Sequence, residues 1–146
     1  MNILFFLTPK ANVTFLYDNH TVAKALEIFR TSNYTALPMI NREGIYIGTI
    51  TEGDFLWGML EYKKITPENL HDLKVGQLPR KVLHKPVSVS ARMEDLLEIA
   101  KDQNFVPVVD DNGVFIGIVT RKDILQYCYN ALQTKHPLPQ EVGTGH

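Results

Sequence analysis

The sequence predicts an α+β protein in which two β-α-β-β-α repeats pack about a pseudo-two-fold axis as one module. The first observation behind this is an internal duplication: Pro38, Gly44, Gly48, Thr51 and Asp54 recur as Pro107, Gly113, Gly117, Thr120 and Asp123, always 69 residues on. The second is that helical and alternating hydrophobic periods follow one another in the same order around both copies. The third is size, because half of 146 residues is too short for an independently stable domain, so the halves are expected to share a core.

Ile3-Leu4-Phe5-Phe6-Leu7 is apolar but lacks a basic flank and is too short for a signal core or a membrane span, so it reads as a buried helix or a dimer contact. Val22, Ala25, Leu26 and Phe29 then fall at helical spacing behind Thr21, a good N-cap. Leu37 to Ile40 and Ile45 to Ile50 read as two strands joined by a polar turn ending in Gly44. Thr51-Glu52-Gly53-Asp54 opens a second helix carrying Phe55, Leu56, Met59 and Leu60. Thr66-Pro67-Glu68 has the capped, Pro-at-N1 look of a short connecting helix. The second copy repeats the order, with a strand at Val87 to Val89, a helix through Met93, Leu96, Leu97 and Ala100, strands about Val106 to Val109 and Phe115 to Val119, and a helix from Thr120. The boundaries read as 1–62 for the first repeat with its N-terminal segment, 63–76 for a linker, 77–132 for the second repeat and 133–146 for a flexible tail. Two three-stranded sheets with helices cannot each cover their apolar faces alone, and packing them face to face creates a cleft on the axis.

A net charge of −1, with 45% hydrophobic and 21% charged residues, is that of an ordinary globular protein and argues against nucleic-acid binding by phosphate neutralisation. The single cysteine, Cys128, forms no disulfide framework or CxxC motif, which points to a reducing, cytoplasmic setting. The five histidines have no metal-ligand spacing, and no GxSxG, GxxxxGK[ST] or GxGxxG occurs. No catalytic residue or metal site is therefore expected, and an acid/base pair of Asp54 and Asp123 is set aside because identical placement in two repeats fits two equivalent sites better.

The Thr-x-x-Asp motifs at Thr51/Asp54 and Thr120/Asp123 have two readings. One is a capping box that starts a helix. The other is a ligand site, in which free helix-end N–H groups meet a phosphate and the carboxylate accepts from ribose hydroxyls. Gly48 and Gly117, three residues upstream, mark a close backbone approach or bulge, which suits a ligand lying against the strand. Pro38 and Pro107 read either as edge-strand devices or as pocket walls. The segments before them differ, Asn33-Tyr34-Thr35-Ala36-Leu37 against Asn104-Phe105-Val106, so two pockets built on them are not equivalent. Arg121-Lys122 replaces Glu52-Gly53, which concentrates anion affinity on one side.

A hydrophobic-Pro strand followed by Gly-hydrophobic-hydrophobic-Thr-x-x-Asp, twice in register over about residues 6–130, resembles the cystathionine-β-synthase (CBS) domain, and the tandem resembles a CBS pair or Bateman module. The resemblance implies a non-catalytic regulatory module that binds an adenine nucleotide between its repeats, forms homodimers, and uses no metal or cofactor. It further implies sites built across the repeats. One would join Asn12, Thr14, Tyr34, Thr35, Ala36 and Pro38 to Thr120, Arg121 for phosphate and Asp123 for ribose; the other would join His84, Lys85, Phe105, Val106 and Pro107 to Thr51 and Asp54. The first is favoured, because Thr35-Ala36 leaves room for a purine where Phe105 does not. Tyr34 to Pro38, the short Asn104-Phe105-Val106 segment and Thr120-Arg121-Lys122 also resemble the stand-alone CBS-pair proteins of Gram-positive bacteria that bind cyclic di-AMP and relay it to a protein effector. Asp54 and Asp123 keep the acid of AMP, ADP and ATP binders, so the ligand stays open among AMP, ADP, ATP and cyclic di-AMP. The alternative is a ligand-free homodimeric interaction scaffold whose clefts are filled by Tyr34 or Phe105.

Overall fold

The computed structural model describes residues 2–135. Strands β1 (Thr8–Pro9), β2 (Leu16–Tyr17), β3 (Ala36–Ile40), β4 (Tyr46–Thr51), β5 (Val87–Ser88), β6 (Phe105–Val109) and β7 (Phe115–Thr120) form two sheets. Helices α1 (Val22–Ser32), α2 (Glu52–Leu60), α3 (Met93–Ala100) and α4 (Arg121–Lys135) pack with them. The three-stranded sheet has the order β2-β3-β4, while the second is four-stranded, β1-β7-β6-β5. In each, a parallel pair is followed by an antiparallel hairpin.

Local chemistry explains the starts and turns. The Thr21 hydroxyl accepts from the Lys24 amide at 3.1 Å and opens α1, and Asn33 closes it in the left-handed region at φ 61°. The hairpin turns are matched Asx turns. Asn41 Oδ1 accepts from the Glu43 and Ile45 amides, and Asp110 Oδ1 accepts from Asn112 and Val114. Gly44 and Gly113 end these turns at φ 86° and 81°, where a side chain would be strained. The hairpins then bond to each other across the pseudo-axis: the Tyr46 amide donates to the Gly113 carbonyl and the Phe115 amide to the Gly44 carbonyl.

The expected shared core is replaced by two clusters. One gathers Leu16, Val22, Phe29, Leu37, Met39, Ile50 and Phe55 with Ile65, Val75 and Leu78; the other gathers Met93, Leu96, Val106, Val108, Val119 and Ile124 with Ile3. Each repeat completes its own core by borrowing a connecting segment. Residues 65–78 close the first, and the N-terminal segment crosses to close the second, which is why the second sheet gains β1. That segment is a 3-10 helix (Ile3–Phe6) with Ile3 buried and Phe5 exposed. Between the cores lie Phe115 and Tyr46, stacked with ring centroids 6.3 Å apart.

The connecting helix expected at Thr66-Pro67-Glu68 is absent. Thr66 and Asn69 exchange reciprocal side-chain hydrogen bonds, yet residues 67–72 form turns. The carbonyls of Leu70 and Leu73, which a helix would bond internally, instead accept from the Ala23 and Val22 amides. The segment thus satisfies the free N–H groups at the start of α1. At the other end, α4 continues to Lys135, so residues 133–135 of the expected tail are helical; the rest of that segment, 136–146, lies outside the described residues.

Candidate functional site

The two Thr-x-x-Asp motifs follow β4 and β7 directly, and the same sequence has different duties in each. At α2 the capping box is complete: the Asp54 amide donates to Thr51 Oγ1 at 3.2 Å, and Asp54 Oδ2 accepts from the Thr51 amide at 2.8 Å. Asp54 is buried, and its carboxylate is committed to the backbone. At α4 only the first half forms, with the Asp123 amide donating to Thr120 Oγ1 at 3.2 Å. Among the described residues the half-buried Asp123 carboxylate has no hydrogen-bond or ion-pair partner, and it sits in the first turn of a 15-residue helix.

A cavity of about 170 Å³ lies beside that helix start, lined by Thr14, Tyr34, Ala36, Leu37 and Pro38 from the first repeat and by Asn104, Phe105, Ile118 and Thr120 from the second. Of the first predicted set, Thr14, Tyr34, Ala36, Pro38 and Thr120 therefore meet. Its wall is almost wholly apolar, with Pro38 buried and Tyr34 exposed at the rim, as a flat aromatic base requires. Thr35 faces the adjoining cavity and accepts from Asn104 Nδ2 at 3.5 Å. Asn12 is exposed in a 3-10 turn and lines neither cavity. Arg121 turns away from both: Nε donates to the Ala100 carbonyl at 2.8 Å and an Nη to Lys101 at 3.3 Å, so the guanidinium caps the C-terminus of α3. Lys122 beside it is exposed.

The second set is more scattered. Thr51, His84 and Phe105 line a cavity of about 320 Å³ with Glu52, Gly53, Asp102 and Gln103. Val106 and Pro107 are buried, and Lys85 is exposed. Burial holds the His84 pKa below its usual range, partly opposed by Asp54. Sequence reasoning does not single out Ile118, which carries no distinctive chemistry, and it assigns Asn104 only to the short segment before Pro107; the 69-residue offset linking Asn104 to Thr35 is the signal that places it.

The glycines upstream of the motifs do mark close approaches and bulges, with register shifts at Met39/Ile40 and Val108/Val109. What approaches them is protein rather than ligand. A Cβ on Gly117 would meet the Thr8 carbonyl of β1, and one on Gly48 would meet the Arg80 guanidinium.

The model of the CBS domain matches residues 7–61 and again 75–130. The chain belongs to the CBS domain family. Among solved CBS structures, Listeria monocytogenes CbpB in complex with c-di-AMP superposes with a TM-score of 0.76 at 23% identity, covering 90% of this chain and 98% of that one. CBSX2 in complex with AMP superposes with a TM-score of 0.68 at 28% identity, covering 92% and 98%. A homoserine O-acetyltransferase from Methanococcus vannielii is 29% identical over 120 residues, 77% of this chain but 22% of that protein. The chain thus spans less than a third of the length of the first curated relatives it matches. Among the described residues no helix is long and apolar enough to cross a membrane, and no cluster of metal-ligating side chains occurs.

Proposed function

We propose that this CBS pair is a non-catalytic regulatory module of the cytoplasm that binds an adenine nucleotide in the cleft between its repeats and signals occupancy to an effector protein. The observation that carries the reading is the apolar cavity built from Ala36 to Pro38 of one repeat and Ile118 and Thr120 of the other; Asp123 is not on its lining, but its unpartnered carboxylate belongs to the first turn of α4, which Thr120 starts. A base fits between the apolar walls, ribose hydroxyls donate to Asp123, and the phosphate meets the first amides of α4, with the exposed Lys122 of that turn as its cation. The AMP complex of the 28% identical CBSX2 supports an adenine ligand, and the shared fold of CbpB puts cyclic di-AMP among the nucleotides to try.

Signalling requires that the ligand favour one arrangement of the repeats, since a ligand shifts an equilibrium only by its differential affinity. The pseudo-axis contacts supply a joint that depends on both halves. Homodimer formation is part of the same reading: Leu56 and Leu60 on α2 and Leu125 and Leu132 on α4 are 47%, 68%, 68% and 65% exposed, apolar surface that a second copy would cover.

Isothermal titration of nucleotide-free protein with cyclic di-AMP, AMP, ADP and ATP tests the reading. Saturable binding of at least one, weakened by Asp123→Ala, supports it. No binding of any leaves the ligand-free homodimeric scaffold.

A further inference from the structure

We infer that the second cleft is closed to nucleotides, so that each chain takes one: Tyr46 latches the segment at His84 over the inner end of the cleft, and Glu52 and Asp102 charge its mouth against phosphate. This rests on the proposal that the first cleft is a nucleotide site.

The latch is a chain of two short bonds. The Tyr46 hydroxyl donates to the His84 carbonyl at 2.7 Å and lies 2.7 Å from Thr49 Oγ1, whose own hydroxyl proton completes the chain. Thr49 is 2% exposed, and burial raises the Tyr46 pKa to about 12, so the phenol stays a donor across the physiological range. The first cleft has no such device. There the 69-residue offset places Phe115, with no hydroxyl, for Tyr46 and Ile118 for Thr49, and Ile118 lines an open cavity instead. Arg80 reinforces the closed side by lying against Gly48 and donating to the Ile47 carbonyl at 3.5 Å.

What remains open at this end is the cavity of about 320 Å³, and its charge is wrong for a phosphate. Glu52 occupies the first position of α2, where α4 has Arg121, and Asp102 lies on the same lining. The basic side chain on that lining, His84, has its charged form disfavoured by burial, partly opposed by Asp54. Asp54, the acid that would meet a ribose, already accepts from the Thr51 amide.

The test is the stoichiometry of cyclic di-AMP and AMP on nucleotide-free protein, for the wild type and for Tyr46→Phe combined with Glu52→Arg. The inference expects one nucleotide per chain in the wild type and a second, weaker event in the double variant. Two nucleotides per wild-type chain, or one in a folded double variant, overturns it. If the wild type binds none, the nucleotide reading fails separately, and the latch is decided by amide exchange. Peptides covering residues 81–88 should exchange about fivefold faster in Tyr46→Phe than in the wild type, the factor for one lost hydrogen bond. Unchanged exchange shows that there is no latch.

Discussion

Exchanging each motif aspartate for alanine separates a structural carboxylate from a free one. Asp54→Ala leaves the Thr51 amide without its 2.8 Å acceptor in a buried setting. Losing a cap and stranding an N–H costs about 1–2 kcal/mol, which for a chain of this size lowers Tm by about 3–8 °C. Asp123→Ala strands nothing, because its carboxylate has no partner among the described residues. Only a favourable charge at a helix start is lost, about 0.5 kcal/mol. Affinity should follow the opposite order. A charged acceptor bonded to ribose hydroxyls contributes about 1.5–3 kcal/mol, so Asp123→Ala should weaken nucleotide binding by about 10- to 150-fold, while Asp54→Ala, measured below its Tm, should change it little. Thermal denaturation of the nucleotide-free variants paired with titration reads both effects. An Asp123→Ala protein that melts below Asp54→Ala, or an Asp54→Ala protein that loses more affinity, would refute the division of labour.

Three further predictions concern contacts around the clefts. Gly117→Ala should destabilise by about 2–4 kcal/mol in urea denaturation, because the added Cβ meets the β1 backbone, whereas Gly48→Ala should cost less than about 1 kcal/mol, since the Arg80 guanidinium can swing aside. Arg121→Ala should lower stability by about 1 kcal/mol through the lost α3 cap and change affinity less than Lys122→Ala does; a larger affinity loss at Arg121 would show that its guanidinium moves to the ligand. Because the folded Tyr46 phenol titrates at about 12 rather than 10, its contribution is fully present below pH 10 and is lost as pH rises through 12. Wild-type stability should thus fall faster than that of Tyr46→Phe between pH 10 and 12, and parallel curves would contradict the buried hydroxyl.

The repeat order and the sheet-helix pairing were legible because the duplication fixes them twice, and capping and turn residues act within a few positions of themselves. Part of the cavity lining was legible for the same reason, since Ala36 and Thr120 take their places from elements the pattern already located, whereas Leu37 and Ile118 carry no chemistry that marks them. What escaped the sequence depends on contacts between distant segments. Thr66-Pro67-Glu68 has a sound helix signal, but the carbonyls of Leu70 and Leu73 are drawn to α1. Gly117 announces a close approach without saying that β1 is what approaches. Arg121 has the right chemistry for phosphate, yet α3 ends close enough to claim it. Asp54 and Asp123 are indistinguishable as a motif, and only their hydrogen bonds separate them.

The central claim, a nucleotide seated between the repeats at the first cleft, is tested most directly by amide and methyl NMR spectra recorded while AMP or cyclic di-AMP is added to the nucleotide-free protein. The account predicts that saturable shifts centre on Thr14, Tyr34 to Leu37, Ile118 and Thr120 to Asp123, with smaller changes at Thr51 to Asp54. Shifts centred on His84 and Thr51 instead, or none at saturating nucleotide, would contradict it.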